Sequence, residues 1–262
     1  MGFRDPVSSG AVEILILIAS GVAIGIVSSM IGIGGGSFMV PLLVLAGFVG
    51  RAQEAVGTSI AGVLFMGLSA SLAYGKARMS DLRLALWAAP AAILTSWGSA
   101  ALSGRVAAGG LLVAFGAFLA LMGLIMALGK TPKELGGRPR ELLPYPHGGA
   151  AVGALAGITA GLFGLGGGTI MVPGFTLLLG REIHTAVATS LLVMIPSAGI
   201  ATVEHALQGN IHWELVLPLA AGIVVGAQLG PRISRVLPQA ALRRLFSLVL
   251  FYAAYRMISK GL

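Results

Sequence analysis

A ten-residue pattern occurs twice in this chain, 132 residues apart, and each copy interrupts apolar sequence with glycine. The first copy is Gly32-Ile33-Gly34-Gly35-Gly36-Ser37-Phe38-Met39-Val40-Pro41, and the second is Gly164-Leu165-Gly166-Gly167-Gly168-Thr169-Ile170-Met171-Val172-Pro173. Each glycine in a helix interior costs about 1 kcal/mol relative to alanine, so three in a row end a helix. Broken backbone at membrane depth is tolerated only where protein buries it or where it lines a polar cavity. Interruptions at matching places in two halves of an apolar chain point to the binding site of a transporter.

The surroundings of the pattern are those of a membrane protein. Of 262 residues, 56% are hydrophobic and 10% charged, and the mean hydropathy is +0.95. A soluble domain carries about 25% charged residues. The forty glycines suit helices that pack closely in lipid. With no cysteine, the chain forms no disulfide, thiolate metal site or cysteine nucleophile. The net charge of +8 does not indicate a nucleic-acid partner, because the basic residues lie in short loops between apolar runs. The run from Ala11 to Val27 follows Arg4 as in a signal peptide, but it belongs to the repeated unit and is read as retained.

Ten apolar segments follow: 11–31, 37–49, 53–74, 83–103 and 107–129, then 147–163, 169–180, 185–207, 213–231 and 240–258. Most approach the roughly 20 residues a bilayer requires. The two segments after the glycines are shorter and reach roughly 20 Å at 1.5 Å per residue, against a hydrocarbon core about 30 Å thick. Each cluster is therefore expected to dip toward the midplane, and the short segments either cross or turn back as re-entrant hairpins.

Twelve of the 17 Lys and Arg residues fall on one side of the alternation: Lys76, Arg78, Arg83, Lys130, Lys133, Arg138, Arg140, Arg181, Arg232, Arg235, Arg243 and Arg244. Arg4, Arg51, Arg105, Arg256 and Lys260 fall on the other. The positive-inside rule places the first group, and the polar stretch 130–146, in the cytoplasm, with both termini outside. The expected fold is an all-α polytopic membrane protein of two inverted five-segment repeats, 1–129 and 147–262, joined by the linker 130–146. Each repeat carries a glycine-broken helix near the midplane.

A short helix starts after each cluster. Ser37 and Thr169 are placed to cap it, with Pro41 and Pro173 in the first turn, where no helical N–H bond is lost. The exposed N–H groups of Gly34, Gly35, Gly36, Gly166, Gly167 and Gly168, at the positive end of the helix dipole, suit a small oxyanion. Thr58, Ser59, Thr189 and Ser190, about two turns into the next helices and matched at an offset of 131, supply hydroxyl donors or else bond their own helices. Glu204 and His205 read either as a proton relay, since ionisable groups in a membrane are costly, or as groups facing outer water near the 208–213 loop.

The duplicated G-x-G-G-G-[ST]-x-x-V-P pattern, the downstream Thr-Ser pairs and the central polar linker resemble the sulfite exporter TauE/SafE family of permeases. The resemblance covers nearly the whole chain. It implies a secondary transporter in the bacterial inner membrane, exporting sulfite, sulfonates such as sulfoacetate, or related small anions, with proton coupling and a homodimer compatible with the chain. A passive anion channel and an intramembrane enzyme are the alternatives, and the enzyme lacks a catalytic constellation. No cofactor or metal is expected. Gly129-Lys130-Thr131 has Leu124 where a phosphate loop needs glycine, and Ser37 stands where a dinucleotide fingerprint needs its third. The four histidines are scattered.

Overall fold

A computed structural model describes residues 8–75, 79–128, 144–234 and 239–261. Ten α-helices occupy them: α1 Ser8–Ile31, α2 Gly36–Leu45, α3 Ala52–Gly75, α4 Leu82–Ser103, α5 Ala108–Leu128, α6 Tyr145–Phe163, α7 Gly168–Pro173, α8 Ile183–Leu207, α9 Trp213–Ser234 and α10 Gln239–Gly261. α7 continues without a break into a π-helical turn, Gly174–Leu178. There is no strand among the described residues. Most of the linker, and Arg4, Lys76, Arg78 and Arg235, lie outside them.

Six helices are long and apolar enough to cross a bilayer: Val12–Ile31, Ala52–Gly75, Leu82–Ser103, Ala108–Ile125, Ile183–Leu207 and Trp213–Ile233. Large apolar side chains such as Leu72, Leu86, Leu94, Leu155 and Leu217 stand exposed on the outside, a surface that water penalises and lipid accepts. No Asp, Glu, Lys or Arg whose side chain is described is buried. The interior polar groups are serines, threonines, Asn210 and His205. The chain is a multi-pass membrane protein.

Glycine sets the tightest seams. α1 packs along α9 and α6 along α4. A Cβ on Gly222 would lie 2.1 Å from Ile18 O, and one on Gly226 would lie 2.2 Å from Val22 O. The contacts advance together along both helices, so α1 and α9 run parallel. The same holds for α6 and α4, where Gly153, Gly157 and Gly161 press on Ala88 O, Ala92 O and Ser96 O. Without a hydrophobic driving force in lipid, such backbone approach is what holds helices together. Each seam joins a helix of the first half to one of the second.

The connections gather on two opposite faces. On one, Gln53 Nε2 donates to Val106 O (2.8 Å), Gln208 Nε2 donates to Ala100 O (3.1 Å), Lys260 Nζ donates to Val44 O (2.7 Å), and His212 pairs with Glu54. On the other, Asp81, Tyr145 and Arg181 meet. α1 starts beside α9 on the first face and climbs far enough for Tyr74, at the end of α3, to donate to Ser29 O (3.0 Å). The chain then doubles back through Gly32–Gly35, and α2 returns to the face it came from. α6 and α7 form the corresponding hairpin from the opposite face. The short segments therefore turn back and do not cross.

Gly157→Ala would place a methyl 2.1 Å from Thr95 Oγ1 and 2.3 Å from Ala92 O, whereas Gly98 has nothing within 4 Å. Thermal denaturation in detergent should show Gly157→Ala destabilised by about 1–3 kcal/mol and Gly98→Ala unchanged or stabilised. Equal melting of the two variants would contradict the seam.

Candidate functional site

The two glycine runs meet at the centre of the molecule and lie antiparallel. A Cβ on Gly36 would be 2.0 Å from Gly164 O, one on Gly168 would be 2.1 Å from Gly32 O, and one on Gly34 would be 2.4 Å from Leu165 O. Only hydrogen fits between these backbones. The matched pairs Gly32/Gly164, Gly34/Gly166 and Gly35/Gly167 all adopt positive φ, between 66° and 90°, a region that costs other residues roughly 1–2 kcal/mol. Gly34 and Gly166 both lie against Met194, and Gly166 also meets Val63. These contacts are about three turns into α8 and α3, which enter from opposite faces.

Both short helices begin in this crossing. The N–H groups of Phe38 and Met39 bond Gly35 O, and those of Ile170 and Met171 bond Gly167 O. The N–H groups of Gly36, Ser37, Gly168 and Thr169 precede those first helical bonds. Two dipole ends of the same sign are thus buried in the crossing, one beside Gly164 and the other beside Gly32, each carrying roughly half a positive charge. The caps differ from the sequence expectation. Gly35 and Gly167, both left-handed, occupy the N-cap positions with no side-chain bond, and Ser37 and Thr169 sit one residue inside each helix. The reason is steric: at the crossing only glycine can hold the turn. This earlier start carries Pro41 and Pro173 past the first turn to the sixth helical position. There each lacks the N–H that would bond the carbonyl of Ser37 or Thr169. The π-helical turn after Pro173 absorbs the change of register.

Ser37 Oγ and Thr169 Oγ1 are buried and have no hydrogen-bond partner among the described residues. Buried hydroxyls are nearly always satisfied, and Ser28 Oγ and Ser71 Oγ are the other hydroxyls buried without a partner among the described residues. The other four hydroxyls are committed. Ser59 Oγ lies 3.0 Å from Val56 O and 3.1 Å from Gly164 O, and Ser190 Oγ lies 2.8 Å from Val187 O and 3.2 Å from Gly32 O. The single hydroxyl proton of each serine is shared between a carbonyl of its own helix and one of the glycine run of the opposite half. Thr58 Oγ1 accepts the N–H of His212 (3.1 Å), and Thr189 Oγ1 accepts that of Asp81 (2.9 Å). The Thr-Ser pairs hold the crossing together, while Ser37 and Thr169, and Ser28 beside the first glycine run, keep uncommitted hydroxyls.

His205 does not face water. It is fully buried, and its Nε2 donates to Gly161 O (3.0 Å). Tyr74, 131 residues earlier, makes the equivalent bond to Ser29 O. Both positions staple an α-helix to the end of a hairpin. Glu204 lies on another side of α8, where it accepts from Gln208 Nε2 (2.9 Å) and Trp97 Nε1 (3.2 Å).

Two polar clusters escaped sequence reasoning. Asp81 caps α4 through the N–H of Leu84 (3.0 Å) and accepts from the Tyr145 hydroxyl, and Arg181 approaches within 3.9 Å. The Arg181 guanidinium lies 4.4 Å from the centroid of the Tyr145 ring. On the opposite face His212 sits between Glu54 and Glu214. The available signal was the offset: Asp81 and His212 are separated by the same 131 residues as Thr58 and Thr189.

A multi-pass helical protein with broken helices meeting at its centre has the architecture of a membrane transporter. The chain belongs to the sulfite exporter TauE/SafE family, which it matches over residues 17–257, and it is a membrane transporter. It is similar to the probable membrane transporter protein YunE of Bacillus subtilis, with 28% identity covering 95% of this chain and 98% of that one. It also resembles the probable membrane transporter protein YdhB of the same organism, at 26% identity over 84% and 90% of the two chains. A probable membrane transporter protein of Haemophilus influenzae is 35% identical over 41% of this chain and 43% of its own length.

Ser59→Ala and Ser190→Ala each remove one bond between the halves. Each should lower unfolding stability by about 1 kcal/mol, read as a drop in melting temperature. Unchanged melting of the double variant would remove these serines from the crossing.

Proposed function

We propose that this protein is a secondary transporter of small sulfur oxyanions, sulfite or organosulfonates such as sulfoacetate, and that the anion binds where the two glycine runs cross. The observation that carries this reading is the pair of buried, unpartnered hydroxyls of Ser37 and Thr169 at the starts of two opposed helices. Backbone N–H groups of Gly34, Gly35, Gly36, Gly166, Gly167 and Gly168 would complete the site, and the helix dipoles would supply the countercharge. An oxyanion suits such a site because its oxygens only accept hydrogen bonds. The sulfur class rests on the family description.

Transport would proceed by alternating access between two inverted repeats, 1–129 and 147–262, in the bacterial inner membrane. The positive-inside rule places the Asp81–Arg181 face and the linker in the cytoplasm and both termini outside. The crossing lies against α3 and α8, so a shift of these two helices between the α1–α9 and α4–α6 pairs would expose it first to one side and then to the other.

Binding to purified protein tests the site, with calorimetry on sulfite, sulfoacetate, sulfate, thiosulfate and chloride. Ser37→Ala and Thr169→Val remove one hydroxyl each without adding bulk. Each should weaken sulfur-oxyanion binding about tenfold, the worth of one hydrogen bond to a charged group, while melting as wild type in the absence of anion. Wild-type affinity in a folded double variant would refute the site. These variants serve better than Gly167→Val, whose side chain would start 2.6 Å from Ala156 O.

A further inference from the structure

We propose that His212 is the proton-coupling gate of this transporter: its protonated ring ties the first half to the second on the face that carries residues 46–51 and 208–212, and loss of the proton lets that seam open. The proposal rests on the alternating-access reading above.

The geometry calls for a protonated ring. His212 Nδ1 lies 2.9 Å from Glu214 Oε1, and Nε2 lies 3.4 Å from Glu54 Oε2. Neutral imidazole has one N–H and cannot donate to both carboxylates; imidazolium can. Arg51 Nε also pairs with Glu54, at 2.8 Å. Two carboxylates and one guanidinium leave one negative charge, which the imidazolium cancels. The charged groups facing His212 are Glu54 from α3, Arg51 from the turn before it and Glu214 from α9. Arg105 on the α4–α5 turn is exposed, and Lys260 of α10 bonds Val44 O on the same face. The hydrogen bond to Glu214 holds the His212 pKa above the ordinary histidine value, against burial, and Glu54 adds to the rise.

His212 is joined to the crossing through one helical step. Its own N–H bonds Thr58, and the next residue, Ser59, holds Gly164 O. The opposite face repeats the plan with different chemistry. The N–H of Asp81 bonds Thr189, and Ser190 holds Gly32 O. There the carboxylate meets Tyr145, Arg181 and, farther off, Arg83 over the tyrosine ring. The two clusters therefore differ: an imidazole stands at the centre of one and a carboxylate at the centre of the other.

The sign follows from the raised pKa. The latch is complete below the ordinary histidine pKa and is lost as pH rises through the raised one. The chain has no cysteine, so Thr58→Cys and Thr189→Cys report each gate without background. In nanodiscs, labelling by a maleimide should accelerate with pH at Thr58→Cys. That acceleration should exceed the thiolate effect measured with Thr58→Cys/His212→Gln. Glu54→Gln should flatten the profile as His212→Gln does, while Thr189→Cys should show the thiolate effect alone. Identical profiles with and without His212→Gln would overturn the proposal, and so would an equal response at Thr189→Cys. Labelling needs no substrate, so a pH-dependent gate in a protein that carries no sulfur oxyanion supports the gate and counts against the transport reading alone.

Discussion

The close crossing of two glycine backbones is the constraint on which the rest of the structure depends. Gly36 against Gly164 O and Gly168 against Gly32 O leave no room for a Cβ, so no other residue can occupy these places. The left-handed turns at Gly35 and Gly167 then start two helices inside the protein. Those starts expose N–H groups that no helical carbonyl can reach. Burying them costs free energy unless something accepts from them. The hydroxyls of Ser37 and Thr169, one residue inside each helix, are buried there without a partner among the described residues.

The tightest helix seams do not follow the sequence halves. α1 of the first half is locked to α9 of the second, and α6 of the second to α4 of the first. Two interlocked pairs therefore flank α3 and α8, which pack on each other and carry the Thr-Ser pairs. Motion between such bodies strains the few polar bonds that bridge them, at Ser59, Ser190, Thr58 and Thr189. Single hydrogen bonds of about 1 kcal/mol are cheap to exchange, whereas the glycine seams are continuous.

Much of the fold was legible in the sequence. Apolar run length gave the helices within a few residues, and the duplication gave the two matched helix breaks. The family followed from the residues of the repeated pattern. The caps were misjudged because Ser37 and Thr169 fit capping statistics, while the packing at Gly35 and Gly167 overrode them. His205 was open to a water-facing reading because depth along a helix near a loop does not reveal what covers it. The neighbour that covers it, Gly161, is 44 residues away in sequence. Asp81 and His212 passed unnoticed because a single charged residue in a loop is ordinary. Their meaning comes from Tyr145, Arg181 and Glu54, brought in from other connections.

The sequence by itself determined the class of solvent, the number of helices and the place where two of them break. These follow from composition, run length and glycine, all local properties of the chain. Tertiary structure decided that the short segments turn back, that the two glycine runs face each other, and which hydroxyls are occupied. It also decided which loop residues meet across the halves. Those outcomes depend on distances between segments a hundred or more residues apart, and only packing fixes such distances.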